Sequence, residues 1–190
     1  ITFADDIIIE SFEEGGPVLD WQEVSPAGQT QNTVNATPNL ASTDHVTHGS
    51  RSGKFTSVWT KPGAAAGSNA YVSGGPLTFW SKRINCGTPA VGPNIPNDSV
   101  IRADVYNNSA DSIQFALYVG DNGGQTTYER GPLMALAPNS ANVYEWKMGE
   151  DPTTAYITGN GVLDGSASKL RGMVIYTDTE PTDSQFVMDV

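Results

Sequence analysis

Apolar and polar residues alternate with a period of two along much of the chain. In VIRADVYN (Val100 to Asn107), Ile101, Ala103 and Val105 alternate with Arg102, Asp104 and Tyr106. In SIQFALYVGDNGG, Ile113, Phe115, Leu117 and Val119 oppose Gln114, Ala116 and Tyr118, and Asp121-Asn122-Gly123-Gly124 then turns the chain. In PLTFWSKRI, Leu77 and Phe79 oppose Thr78, Trp80 and Lys82. Successive side chains of a strand point to opposite faces, so this period predicts antiparallel strands with one face buried. Similar runs predict strands over Ile7 to Glu13, Gly53 to Trp59, Tyr144 to Met148, Leu170 to Tyr176 and Gln185 to Val190, with one helical turn around Ser166 to Lys169. The segments from Lys61 to Pro76 and from Asn85 to Asp98 are too rich in Gly and Pro for central strands. Many short strands joined by long excursions predict an all-β chain, a β-sandwich of the jelly-roll kind with two antiparallel sheets.

Composition supports that reading and removes several functions. With 190 residues the chain suits one domain over residues 1–190, and its 20 Gly and 12 Pro beside only 16% charged residues suit turn-linked strands. The formal net charge of −11 opposes nucleic acid and anionic lipid as partners. No apolar run is long enough to insert as a membrane helix, and the first residues carry no basic leader, which reads as a mature or trimmed chain. The single cysteine, Cys86, excludes an internal disulfide framework.

Catalytic constellations are weak. Asp44, His45 and His48 sit in a Gly-Ser-rich connection without the helical frame of a zinc motif, so a loop role is expected. GSRSG (Gly49 to Gly53) places Arg51 where a nucleophile elbow needs serine. Asp104, Glu129, Glu145 and Asp164 are candidates for a glycosidase pair, but their separation in space is not set by their spacing in the chain.

Three separated pieces carry a resemblance. SFEEG followed by Trp21, HVTHGSRSGKFT (His45 to Thr56) and the terminal FVMDV (Phe186 to Val190) resemble the signature of calcium-clasped jelly-roll carbohydrate-binding modules, the sandwiches appended to bacterial glycoside hydrolases. VYNNS and LAPN are similar to segments of the same group and of accessory domains in agarases. The resemblance implies a structural calcium ion (Ca2+) bridging the first and last strands. On this chain it implies side-chain oxygens from Glu13 and Asp189, main-chain carbonyls from Ser11 and Ser50, and an oxygen from Thr47. Thr47 departs from the pattern, since many relatives carry an acid there, which reduces the ligand charge. Calcium takes six to eight hard oxygen ligands in loose geometry, so a mixed set is chemically reasonable. The alternative stays open that Glu10, Glu13 and Glu14 are a solvated strand end and Asp189 a solvated tail.

The resemblance further implies a secreted or cell-surface protein that binds polysaccharide or oligosaccharide, within a larger multi-domain protein, and concentrates a partner enzyme on it. Strand parity offers a ligand face: Arg102, Asp104 and Tyr106 lie opposite the apolar set, and the same parity adds Trp80, Lys82, Gln114, Tyr118 and Arg171. Aromatic planes for C–H faces, mixed with donors and carboxylates for hydroxyls, are what a sugar requires. Three alternatives remain: loop aromatics (Trp59, Tyr71, Tyr128) as the site, an adhesive or structural sandwich without a sugar site, and a polysaccharide lyase or glycosidase of sandwich fold.

Overall fold

Thirteen strands account for the regular structure among the described residues, which are 9–13, 19, 21–23, 39–58, 80–86, 92–121, 127–156, 158–177, 179, 182 and 185–190 of the computed structural model. They are β1 (Trp21–Glu23), β2 (Asn39–Ser42), β3 (Ser52–Val58), β4 (Trp80–Cys86), β5 (Ile95–Pro96), β6 (Val100–Asn107) and β7 (Ile113–Gly120). After them come β8 (Tyr128–Arg130), β9 (Met134–Leu136), β10 (Ser140–Lys147), β11 (Thr154–Tyr156), β12 (Ala167–Thr177) and β13 (Gln185–Asp189). The chain is all-β, and its strands pair antiparallel throughout the described residues.

One sheet has eight strands in the order β1-β4-β12-β7-β8-β11, with β5 on β12 and β9 on β7. The other has five, β10-β6-β13-β3-β2. The sandwich is closed by side chains of the two inner faces. Phe115 of β7 meets Tyr144 of β10 edge to face at 5.2 Å, and Trp21 of β1 meets Phe55 of β3 at 5.4 Å. Ile101, Val105, Ile113, Leu117, Trp146, Met173 and Ile175 are buried around them. Period-two patterning therefore does what it should: the apolar parity of β6, β7 and β12 forms the core, with each fully buried side chain of this size contributing about 1.5–3 kcal/mol.

Three expectations need correction. Residues 9–13 of the predicted first strand are not extended, because Phe12 is left-handed at φ 56° and the chain wraps instead around the Glu10 carboxylate. The helical turn at Ser166 to Lys169 is absent: from Ala167 onward the chain belongs to β12, where Ala167 and Ser168 pair with Pro96 and Ile95. The Gly-Pro segment assigned from Asn85 contributes its first two residues to β4 and holds the short β5. Strands β3, β6, β7 and β13 lie within a residue or two of their expected places. Ile7, Ile8, Leu77, Phe79, the segment 61–76 and the turn at 122–124 lie outside the described residues.

Candidate functional site

Two glutamates of the opening acidic stretch are structural anchors. Glu10 Oε1 accepts Phe12 N–H at 2.9 Å, while Glu10 Oε2 accepts Leu19 N–H at 2.6 Å and the Trp21 indole N–H at 2.9 Å. Glu13 reaches across to the loop before β3. Its Oε1 accepts the N–H groups of Ser50 at 2.6 Å and Arg51 at 2.8 Å, and its Oε2 accepts the Ser50 hydroxyl at 2.9 Å. Gly49 makes this approach possible: φ there is +67°, and a Cβ would overlap the Glu13 carboxylate, with Cδ only 2.7 Å away.

The first and last segments of the chain do meet on β3. Phe12 packs against Phe55 at 6.4 Å, and the backbone of Val190 exchanges hydrogen bonds with Gly53 at 2.9 and 3.0 Å. Asp189 stands in register with Lys54 on one side and Tyr106 on the other. Of the oxygen donors implied for calcium, Glu13 and Ser50 are in direct contact, Ser11 Oγ accepts the Glu13 N–H at 3.3 Å, and Thr47 is exposed in the same loop. The donor set is all oxygen, and the Glu13 carboxylate, with about four acceptor positions, uses three here, so the set fits calcium in donor type. Among the described residues no group of three or more His, Cys, Asp or Glu converges on one point.

Backbone hydrogen bonding from Ser50, followed by its hydroxyl, holds the Glu13 carboxyl below its ordinary 4.5. The folded chain thus favours the ionised form more than the unfolded chain does. The resulting stability is complete above pH 4.5 and is lost as pH falls through the lowered value. Glu13→Gln is expected to be less stable than the parent at pH 7, with the gap narrowing as pH falls below 4.5. Denaturation at a series of pH values measures it, and a gap independent of pH would remove the carboxylate from the argument.

The sugar-contacting residues expected from parity do not share one face. Arg102, Asp104 and Tyr106 belong to β6 in the five-stranded sheet, whereas Trp80 and Lys82 belong to β4 and Gln114 and Tyr118 to β7 in the eight-stranded sheet. The parity held within β6 and β7 and failed in β4, and it carried no information about which strands are neighbours. On the five-stranded sheet, Arg102 Nε faces Glu145 at 3.6 Å as an exposed cross-strand pair, and His45 lies flat on Tyr106 with ring centroids 3.4 Å apart, which covers the plane a sugar would need. Asp44 pairs with Lys54 at 2.6 Å, in the exposed loop that also carries His45 and His48. Trp80 and Lys82 are in register with Thr177 and Ile175, the strand parity of the buried Ile84 and Cys86.

The outward face of the eight-stranded sheet is the distinctive surface. It carries Tyr118, Tyr128, Tyr156 and Tyr176 with Arg130 and Arg171, and apart from the half-buried Tyr128 and Arg130 these residues are buried, Tyr118 included at 1% exposure. Tyr118 meets Tyr156 at 4.9 Å and Tyr128 edge to face at 6.0 Å. Tyr176 is hydrogen-bonded to Arg130 and Tyr156, and burial pushes its phenol up to about 12. Arg171 sits at a register shift between Leu170 and Gly172; without that bulge it would share the face of Met173 and Ile175. Released by it, the guanidinium lies 5.3 Å from the Tyr128 ring centre, and Nη2 donates to the Tyr128 hydroxyl at 3.3 Å. The strand-register partners of these four tyrosines include no Asp or Glu.

Sequence reasoning put Tyr118 and Arg171 on a ligand face and missed Arg130, Tyr156 and Tyr176, which come together only through the order β12-β7-β8-β11. Of the acids considered for glycosidase chemistry, Glu129 is fully buried and accepts the N–H groups of Asn160 at 2.6 Å and Gly161 at 3.0 Å; burial raises its carboxyl above the ordinary value. Asp104 and Glu145 are on the opposite sheet from it. Trp59 and Tyr71 lie outside the described residues. Comparison of the chain with protein-family models and with curated proteins gives no match.

Proposed function

We propose that the chain is a non-catalytic carbohydrate-binding module, a calcium-stabilised jelly roll of a secreted or cell-surface bacterial protein, which binds polysaccharide or oligosaccharide on the outward face of its eight-stranded sheet. The observation that carries the reading is the sheltered layer of Tyr118, Tyr128, Tyr156, Tyr176, Arg130 and Arg171. A covered face made of phenols and guanidiniums supplies ring planes for C–H stacking together with directional donors for hydroxyls.

Affinity gel electrophoresis through agarose, laminarin, xylan and polygalacturonate tests the reading. At least one polymer is expected to retard the protein, and Tyr128→Ala with Arg130→Ala to abolish most of the retardation. If none of the polymers slows it, the binding role is lost and the adhesive or structural reading takes its place.

Calcium, held by Glu13 and Asp189 side chains with oxygens of Ser11, Thr47 and Ser50, would tie the chain ends together and supply no chemistry to the ligand. Calcium at about a hundredfold over its Kd adds about 2.7 kcal/mol. For a chain of 190 residues that is roughly 5–10 °C in Tm. The expected result is that excess chelator lowers Tm by this amount and that Glu13→Gln no longer responds to it. An identical Tm with and without chelator would leave Glu13 as a hydrogen-bond clasp alone.

A further inference from the structure

Arg171 is 4% exposed, and among the described residues neither its Nε nor its Nη1 has a hydrogen-bond partner. Three N–H donors of a permanent cation are thus buried and unmatched. A guanidinium cannot relieve that cost by losing its proton, as a buried lysine does. Its visible compensation is partial and carries no counter-charge: a cation–π contact over the Tyr128 ring, 5.3 Å from its centre, and one long bond, 3.3 Å, from Nη2 to the Tyr128 hydroxyl. A neutral sugar hydroxyl would satisfy one donor and leave the charge unbalanced, whereas a carboxylate or sulfate oxygen pair matches the fork of Nη1 and Nη2 and neutralises it.

We propose that the ligand of this face is an oxyanion-bearing sugar chain, a uronate or a sulfated polysaccharide, whose anionic group binds Arg171 in place of the Tyr128 hydroxyl. The inference rests on the sugar-binding reading above and narrows its ligand. Tyr128 and Arg130 are half-buried, so the cluster is approached from their side, and Arg130 adds a second cation to the path. The overall charge of −11 opposes a polyanion at long range. At physiological salt that repulsion is screened beyond about 8 Å, while a contact pair inside a sheltered site is screened far less.

The test pairs polymers that share a backbone: polygalacturonate against its methyl ester, and carrageenan against agarose. Each is run with the parent protein, Arg171→Met and Arg171→Lys by affinity electrophoresis at low and high salt, with Tm recorded. At least one charged polymer is expected to bind tenfold or more tightly than its neutral partner, and the two pairs separate carboxylate from sulfate. That preference is expected to shrink at high salt, to vanish in Arg171→Met and to survive in part in Arg171→Lys. The Tm of Arg171→Met is expected to be unchanged or raised, because replacing an unpaired buried charge by a thioether of similar length removes a cost to the fold. Equal affinity for charged and neutral partners, or a Tm of Arg171→Met several degrees below the parent, overturns the inference: in the first case the sugar-binding reading survives without it, and in the second Arg171 is a structural residue. Failure of every polymer to bind overturns the sugar-binding reading and this inference together.

Discussion

Glu10→Ala is expected to destabilise the chain by about 4 kcal/mol, the largest loss of any surface-adjacent substitution considered. One carboxylate receives three N–H groups, from Phe12, Leu19 and the Trp21 indole, and these three residues are themselves buried. Hydrogen bonds to a charged acceptor contribute about 1.5–3 kcal/mol each, and donors left unmatched in a buried place carry a desolvation penalty besides. The three share one acceptor, and Glu10 is only half-buried, so water recovers part of the loss and the sum is not reached. The damage extends into packing. Phe12, Trp21 and Phe55 form a ring cluster with centroids 6.5, 6.4 and 5.4 Å apart, and Glu10 sets where the first two enter it. Urea denaturation measures the effect. A loss under about 1 kcal/mol would mean that water replaces the carboxylate at all three donors.

Gly159→Ala is expected to cost about 3 kcal/mol by overpacking. A Cβ at residue 159 would run into the Tyr128 carbonyl oxygen, which is backbone and has nowhere to go, and would stand 2.7 Å from Glu129 Cδ. Moving residues 158–161 away breaks the Tyr128–Thr158 bridge and the two backbone donors to the buried Glu129 carboxylate. Glu129 is already pushed toward its protonated form by burial, so losing those donors raises it further. Because β8 carries both Tyr128 and Arg130, the same substitution is expected to weaken polysaccharide retardation. Gly149→Ala is the control, since its nearest neighbour would be 3.3 Å away at an exposed turn. Equal losses in the two variants would rule out the close approach as the cause.

The acidic opening stretch shows how far residue type leads. A crowd of carboxylates in IIIESFEEGG suggested either a bound cation or a solvated strand end. In the fold, Glu10 and Glu13 both serve as acceptors for backbone N–H groups, 9 and 37 residues away at their nearest long-range partners. Nothing local marks a carboxylate for that role, because the donors belong to segments whose nearness is set by β3 pairing with β13 and by Phe12 packing on Phe55. The resemblance to calcium-clasped modules implied that Glu13 and the Ser50 carbonyl share a cation; in the fold Glu13 instead accepts the Ser50 N–H and hydroxyl directly.

Sequence by itself determined that this is an all-β chain, roughly where its longer strands β3, β4, β6, β7, β10, β12 and β13 lie though not the short β5, β8, β9 and β11, and which side of β6 and β7 is core, because a period of two is a property of each strand, needs no partner and shows only in a run long enough to repeat. Tertiary structure alone decided which outward faces are joined. It split Arg102, Asp104 and Tyr106 from Gln114 and Tyr118, buried Tyr118, and drew Tyr128, Arg130, Tyr156, Arg171 and Tyr176 into one layer. Neighbouring strands in a sandwich are far apart along the chain, and the bulge that frees Arg171 shifts parity by one residue. Strand order and register are therefore set by how all the inner faces pack at once, which no single segment encodes.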